Sequence, residues 1–101
     1  MITKVYSVYD DKAALWLPPF CFRNDAEAMR AFTATARDTN TSIGQHPADF
    51  CLFNVGEFND ATGELICASP KQSLGYAVEM LAVVAADHPQ DMFHTLERED
   101  D

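Results

Sequence analysis

The segment from His46 to Glu64 combines a histidine with four carboxylates, residue types that bind metal ions or transfer protons. His46 and Asp49 are three residues apart, a spacing that brings both side chains to one ion if the segment makes a helical turn. No third ligand stands at a suitable spacing, and Asp60 and Glu64 flank a turn, where acids bond local backbone amides. We therefore expect no metal site and no cofactor, with Asp49 capping a turn and His46 preceding Pro47 in a loop.

Nucleophilic catalysis has no better support in the sequence. Cys21, Cys51 and Cys67 are isolated from one another and from any histidine, a pattern typical of free thiols in a reducing cytoplasm. There is no glycine-rich phosphate loop, and His88 and His94 have no orienting acid that the sequence identifies. These observations predict that the protein is not an enzyme.

The charge of the chain is strongly acidic and unevenly distributed. Of the 101 residues, 16 are acidic and 7 basic, and the net charge of −9 repels nucleic-acid phosphates. Residues 87–101 contain six acids and one arginine, whereas the remainder of the chain carries a net −4. With 48% hydrophobic residues and no signal-like N-terminus, we expect a soluble single domain over residues 1–86, followed by a flexible acidic tail over residues 87–101.

Four strands are predicted from composition and turn signals. Residues 3–9 are β-branched and aromatic, and ALWLPPFCF follows after a turn. Pro18 and Pro19 cannot donate to a ladder, so this second strand is short or lies at a sheet edge. FCLFNVGEF and ELICA form a hairpin around NDATG, in which Gly63 can adopt a positive φ.

Two helices are predicted from capping signals. Asn24 with Glu27 three residues later begins a helix that runs to about Asp38. Ser69 as N-cap with Pro70 at the first helical position begins the other. The predicted fold is α+β with the order ββαββα, a single mostly antiparallel sheet, two helices and an acidic C-terminal tail.

Three arginines form a candidate nucleic-acid site. Arg23, Arg30 and Arg37 recur every seven residues, and the last two lie opposite the Phe32 stripe of the first helix, where they can follow a phosphate backbone. The alternative is an ordinary solvated helix face, because Glu27 stands three residues before Arg30 and can pair with it.

Eight aromatic residues on the predicted strands offer a second surface for nucleic acid, since bases stack on sheets, although most must belong to the core. They are Tyr6, Tyr9, Trp16, Phe20, Phe22, Phe50, Phe53 and Phe58. Strand alternation places Phe50, Leu52 and Phe58 on one face of the hairpin and Cys51, Phe53 and Val55 on the other. Because both faces are apolar, we expect a partner subunit or a ligand to cover one of them, and therefore a homo-oligomer.

Several short motifs occur in an order that resembles a known family. They are YSVYDDKA, PPF, DAEAMRAF and HPADFCLFNVGEFNDATGEL. The sequence over about residues 4–66 resembles the small nonstructural protein of gokushovirus-type microviruses, tailless phages with single-stranded circular DNA, with Phe50 at the usual tyrosine of that family. The motif residues without an established role are Pro18, Pro19, Phe20, His46, Pro47, Asp49 and Phe50.

The resemblance implies a DNA-binding, nonstructural protein of the infected bacterial cytoplasm that is associated with phage DNA synthesis and brings no catalytic residues. We therefore expect a non-enzymatic accessory protein that binds single-stranded DNA. The alternative is a protein–protein adaptor that engages a replication or packaging protein through its apolar sheet face and acidic tail.

Overall fold

A computed structural model describes residues 1–87, so the predicted acidic tail lies outside the described residues except for Asp87. The strands are β1 (Ile2–Asp10), β2 (Leu15–Trp16), β3 (Phe20–Phe22), β4 (Phe50–Asn59) and β5 (Leu65–Tyr76). The helices are α1 (Asp25–Arg37), α2 (Ser42–Gln45) and α3 (Ala77–Asp87). The prediction of an α+β fold with one mostly antiparallel sheet is confirmed, with three helices instead of two.

The sheet has the order β2-β1-β4-β5, and β3 pairs with the same edge of β1 as β2 does. Every strand pair is antiparallel. Pro18 and Pro19 lie between β2 and β3 and divide the second predicted strand, as expected for residues that cannot donate to a ladder. In the turn after β4, Gly63 adopts φ +77°, which confirms the predicted hairpin.

Helix α1 begins and ends as its sequence predicts. The Asn24 side chain caps it by accepting the Glu27 backbone N–H at 2.9 Å. Its inner face buries Ala28, Phe32 and Ala36 against the sheet. The core therefore lies between α1 and one sheet face, and we call this face the helix side.

The core also includes residues of three other elements, β1, β4 and α3. They are Tyr6, Val8, Phe50, Leu52, Ala77 and Met80. Tyr6 and Leu52 are fully buried, and the Tyr6 hydroxyl donates to the Asp25 carboxylate at 2.7 Å, which ties β1 to the first turn of α1.

A β-bulge in β4 corrects one prediction about the hairpin. Tyr6 pairs with Asn54 and Val5 pairs with Gly56, so Val55 has no partner in β1 and the alternation of β4 reverses there. Phe58 consequently pairs with Thr3 and lies on the face opposite Phe50 and Leu52, not with them. Strand alternation could not show this because the inserted residue is defined only by the neighbouring strand.

The second predicted helix begins later than Ser69 and Pro70 indicate, because the pairing of β5 with β4 continues to Tyr76. One of the two hydrogen bonds of a capping box is present at the start of this helix at Ala77. The Glu79 carboxylate accepts the Tyr76 backbone N–H at 2.7 Å. The sequence signal was the glutamate three residues after Tyr76, without the Ser, Thr, Asp or Asn that normally marks an N-cap.

The polar segment after α1 contains the short helix α2. Thr41 caps it by accepting the Gly44 backbone N–H at 3.0 Å. Of the helices within residues 1–87, none has the length and apolar character needed to cross a membrane.

Candidate functional site

Three aromatic rings meet on the face of the sheet opposite the helix side. Tyr9 pairs with Trp16 across β1 and β2, and Phe53 lies diagonally across on β4. The Trp16 ring centre is 4.9 Å from the ring centres of both Tyr9 and Phe53, at interplanar angles of 56° and 71°. Trp16 remains 41% exposed and its two neighbours are half-buried. We call these three residues the aromatic platform.

The platform is supported by the pairing of its strands and, at one end, by a tight turn. Ser7 and Cys51 pair with Phe53 and Tyr9 and are both buried. The turn between β1 and β2 is closed by Asp10, whose carboxylate accepts two backbone N–H groups, those of Lys12 and Ala13, at 3.0 and 3.2 Å. The three rings therefore stand on paired strands, which restrict their freedom before any ligand arrives.

A lysine from β5 lies over the platform. The Lys71 ammonium is 5.7 Å from the Trp16 ring centre, within the range of a cation–π contact, and the side chain is exposed. Sequence reasoning missed Lys71 because it fell in the predicted first turn of the second helix. The available signal was that it is the only charged residue between Leu65 and Tyr76.

One end of the platform face carries a tyrosine–carboxylate pair. The Tyr76 hydroxyl donates to the Asp11 carboxylate at 2.8 Å. This hydrogen bond raises the pKa of Tyr76 above its usual value. The pair joins the end of β5 to the turn after β1, and it places a negative charge at this end of the face.

The arginines predicted as a phosphate-binding site lie on the other side of the sheet. Arg23 is bonded to Glu27 at 2.8 Å, and this contact raises the pKa of Arg23 and lowers that of the Glu27 carboxyl. The predicted partner of Glu27 was Arg30. Arg30 and Arg37 are exposed and line a shallow groove of about 480 Å³ on the outer face of α1.

The arginines and the aromatic platform are therefore separated by the sheet and by α1. Tyr6, beneath α1, and Tyr9, in the platform, lie on opposite faces of β1 because they are three residues apart. A single strand that stacks on the platform reaches Arg30 and Arg37 only by passing around a sheet edge.

The PPF motif lies at the sheet edge beside α1. Pro18 and Phe20 line an apolar groove of about 420 Å³ between the edge strands and α1, and Phe20 stacks on Tyr6 with the ring centres 6.1 Å apart. The Leu17 carbonyl, just before the motif, accepts the Ser7 hydroxyl at 2.7 Å. In the structure, these motif residues connect the edge to the core.

The HPADF motif joins three elements through its backbone. The His46 carbonyl accepts the Asp49 N–H at 3.0 Å, which forms the turn before β4. The Pro47 carbonyl accepts the Val78 N–H at the start of α3, and the Asp49 carbonyl accepts the N–H of the residue after β1. Phe50 is buried in the core. Within residues 1–87, no group of three His, Cys, Asp or Glu side chains lies close enough together to hold a metal ion.

These features define a small α+β protein with helices on one face of its sheet and an exposed aromatic platform on the other. The family model of the Phage ORF5 protein matches residues 3–80. The chain belongs to this family and is a phage protein. Comparisons with curated proteins and with solved structures gave no match.

Proposed function

We propose that this phage protein is a non-enzymatic accessory protein that binds single-stranded DNA on its aromatic platform. The observation that carries the proposal is the grouping of Tyr9, Trp16 and Phe53 on a sheet face that the helices leave uncovered. Unpaired bases expose the π-faces that stack on aromatic side chains, whereas a duplex buries them. The resemblance to the nonstructural protein of microviruses supports the same function in phage DNA synthesis in the bacterial cytoplasm.

The charge of the protein limits the strength of this binding. A net charge of −9 repels the DNA backbone, so stacking must supply most of the affinity. Each stacked base contributes about 1–3 kcal/mol. Arg30 and Arg37 then form a second, separate phosphate strip for a strand that leaves the platform around the edge of the sheet.

Substitutions of the two exposed residues of β2 test the proposal. Trp16→Ala removes the central ring, and Leu15→Ala is the matched control, because Leu15 is 49% exposed but lies on the opposite face of β2. With a labelled oligothymidine at low salt, we expect Trp16→Ala to weaken binding about 5- to 150-fold, corresponding to the loss of one stacked base. The control should bind as the native protein does.

Three results would count against the proposal. Undetectable oligonucleotide binding by the native protein at low salt would exclude it. Equal losses in the Trp16 and Leu15 variants would show a non-specific effect, and full binding by the Trp16 variant would exclude the platform.

A second candidate function is that of an adaptor for a replication or packaging protein, and the far end of the β4–β5 hairpin favours it. Leu65 and Ile66 are adjacent at the start of β5 and are 60% and 52% exposed. An exposed apolar group of this kind is typical of a protein contact. If the protein is an adaptor, Leu65→Ser and Ile66→Ser should abolish its activity in infected cells, and Trp16→Ala should not. If it is a DNA-binding protein, Trp16→Ala should abolish the activity, and the other two substitutions should not.

We propose that the same hairpin end mediates self-association. Two acidic copies repel one another, and Leu65 and Ile66 belong to the stretch from Leu65 to Lys71 that contains no acid. Sedimentation at micromolar concentration should therefore show a dimer or larger species, which Ile66→Lys dissociates. A monomer of 11.2 kDa for the native protein would contradict this proposal.

A further inference from the structure

The irregularity in β5 determines which charged side chain reaches the platform. Asn54 pairs with Gln72, but Gly56 pairs with Cys67, so the four residues from Ala68 to Lys71 lie opposite Val55 alone. A bulge of this kind redirects side chains that a regular strand would alternate between the two faces. Its last residue, Lys71, extends over the platform to within 5.7 Å of the Trp16 ring centre.

We infer that Lys71 is the phosphate-binding residue of the platform and that single-stranded DNA displaces its ammonium from the Trp16 ring. The inference rests on the proposed function. Arg30 and Arg37 cannot bind a phosphate beside the platform, because they lie on the outer face of α1.

Lys71 is available for this role because no carboxylate within residues 1–87 forms an ion pair with it. The ion pairs of the described residues join the N-terminal amine to Asp60 and Arg23 to Glu27, and Lys71 takes part in neither. Phosphate binding to an exposed lysine releases a counterion from the DNA, which makes the contact visible in the salt dependence of binding.

Replacing the Lys71 ammonium by a base on the Trp16 ring is favourable in free energy. An exposed cation–π contact shifts an equilibrium by only about two- to fivefold, whereas one base stacked on an aromatic ring shifts it by about five- to 150-fold. A base can therefore take the Trp16 ring face from Lys71. The ammonium, on its flexible four-carbon stem, then remains beside the strand and can bind the neighbouring phosphate.

The test uses Trp16, the only tryptophan of the chain, as an intrinsic fluorescent reporter. Oligothymidine is titrated into the native protein, Lys71→Ala, Lys71→Arg and the control Lys4→Ala at several salt concentrations. Lys4 is a matched control because it carries the same charge but pairs with Phe22 on the helix side of β1. A labelled oligonucleotide measures the same affinities independently.

We expect Lys71→Ala to weaken binding about 3- to 10-fold at low salt and to reduce the slope of log K against log salt by about 0.7, the value for one phosphate contact on a single strand. Lys71→Arg should restore the slope, and Lys4→Ala should leave it unchanged. Without DNA, Lys71→Ala should make Trp16 more accessible to acrylamide quenching, since the side chain over the ring is gone.

Failure of this inference is distinct from failure of the proposed function. If the oligonucleotide binds and quenches Trp16 but Lys71→Ala keeps the native salt slope, the inference is wrong and the platform proposal stands. If the slope falls on Arg30→Ala and Arg37→Ala and not on Lys71→Ala, the phosphate contact belongs to α1. If no oligonucleotide binds any variant, both are overturned.

Discussion

Replacing Tyr6 by phenylalanine isolates the hydrogen bond that joins the sheet to α1. The ring is fully buried against Phe20 and Phe22, so the substitution keeps the packing and removes only the hydroxyl. That hydroxyl donates to the Asp25 carboxylate at 2.7 Å, and the second donor, the Asn54 amide, is 3.5 Å away. A hydrogen bond to a charged group contributes about 1.5–3 kcal/mol.

Because Asp25 is half-exposed and water can replace the lost donor, we expect a value at the lower end of this range, about 1.5 kcal/mol. For a domain of this size the loss lowers the melting temperature by about 6–12 °C. Tyr9→Phe, on the same strand but half-exposed, is the matched control and should change the melting temperature little.

The pH dependence gives a sharper test of the same contact. Burial, together with the hydrogen bond to Asp25, raises the pKa of Tyr6 above its usual value of 10.0. A raised folded-state pKa contributes stability that is complete below pH 10 and is lost as the pH rises above 10, because the unfolded chain then ionises first. The loss reaches about 1.4 kcal/mol at pH 11.

The native protein and the Tyr6→Phe variant should therefore differ by about 1.5 kcal/mol at pH 8 and become nearly equal in stability at pH 11. Urea denaturation across this pH range measures the difference directly. A difference below about 0.5 kcal/mol at pH 8, or one that does not change with pH, would contradict a stabilising role of the Tyr6 hydroxyl.

Three further perturbations test other parts of the molecule. Asn24→Ala removes the α1 cap and should cost about 1 kcal/mol in urea denaturation, whereas Asn24→Asp should retain the stability. Gly56→Ala places a Cβ against the Ile66 carbonyl oxygen and should cost about 3 kcal/mol, against about 1 kcal/mol for Gly63→Ala, which is strained only by its φ of +77°. Deleting residues 88–101 removes five acids and one arginine and should tighten oligonucleotide binding at low salt, where unchanged affinity would contradict a repulsive role.

Local signals explain the parts of the fold that the sequence predicts well. The cap of α1 at Asn24 depends on atoms three residues apart, and the turn conformation of Gly63 depends on its missing side chain. Pro18 and Pro19 interrupt the edge strand for an equally local reason, the missing N–H.

The elements predicted wrongly depend on pairing between strands. The face of Phe58 depends on the bulge at Val55, and the helix signal at Ser69 and Pro70 is overridden because β4 continues to pair with the next residues along β5. The candidate site shares this dependence. The sequence shows eight aromatic residues on strands, but only the registers of β1, β2 and β4 bring Tyr9, Trp16 and Phe53 together.

The two outer strands of the sheet share a property that bears on how the protein behaves at high concentration. Paired prolines interrupt one outer strand, and the other is broken by a four-residue bulge that contains Pro70 and ends at a lysine. Neither border offers the long, unbroken row of donors and acceptors that recruits another chain into a growing fibril. Addition of a further copy by strand pairing is therefore disfavoured at both borders of the sheet, which lowers the tendency of a concentrated solution to form fibrils.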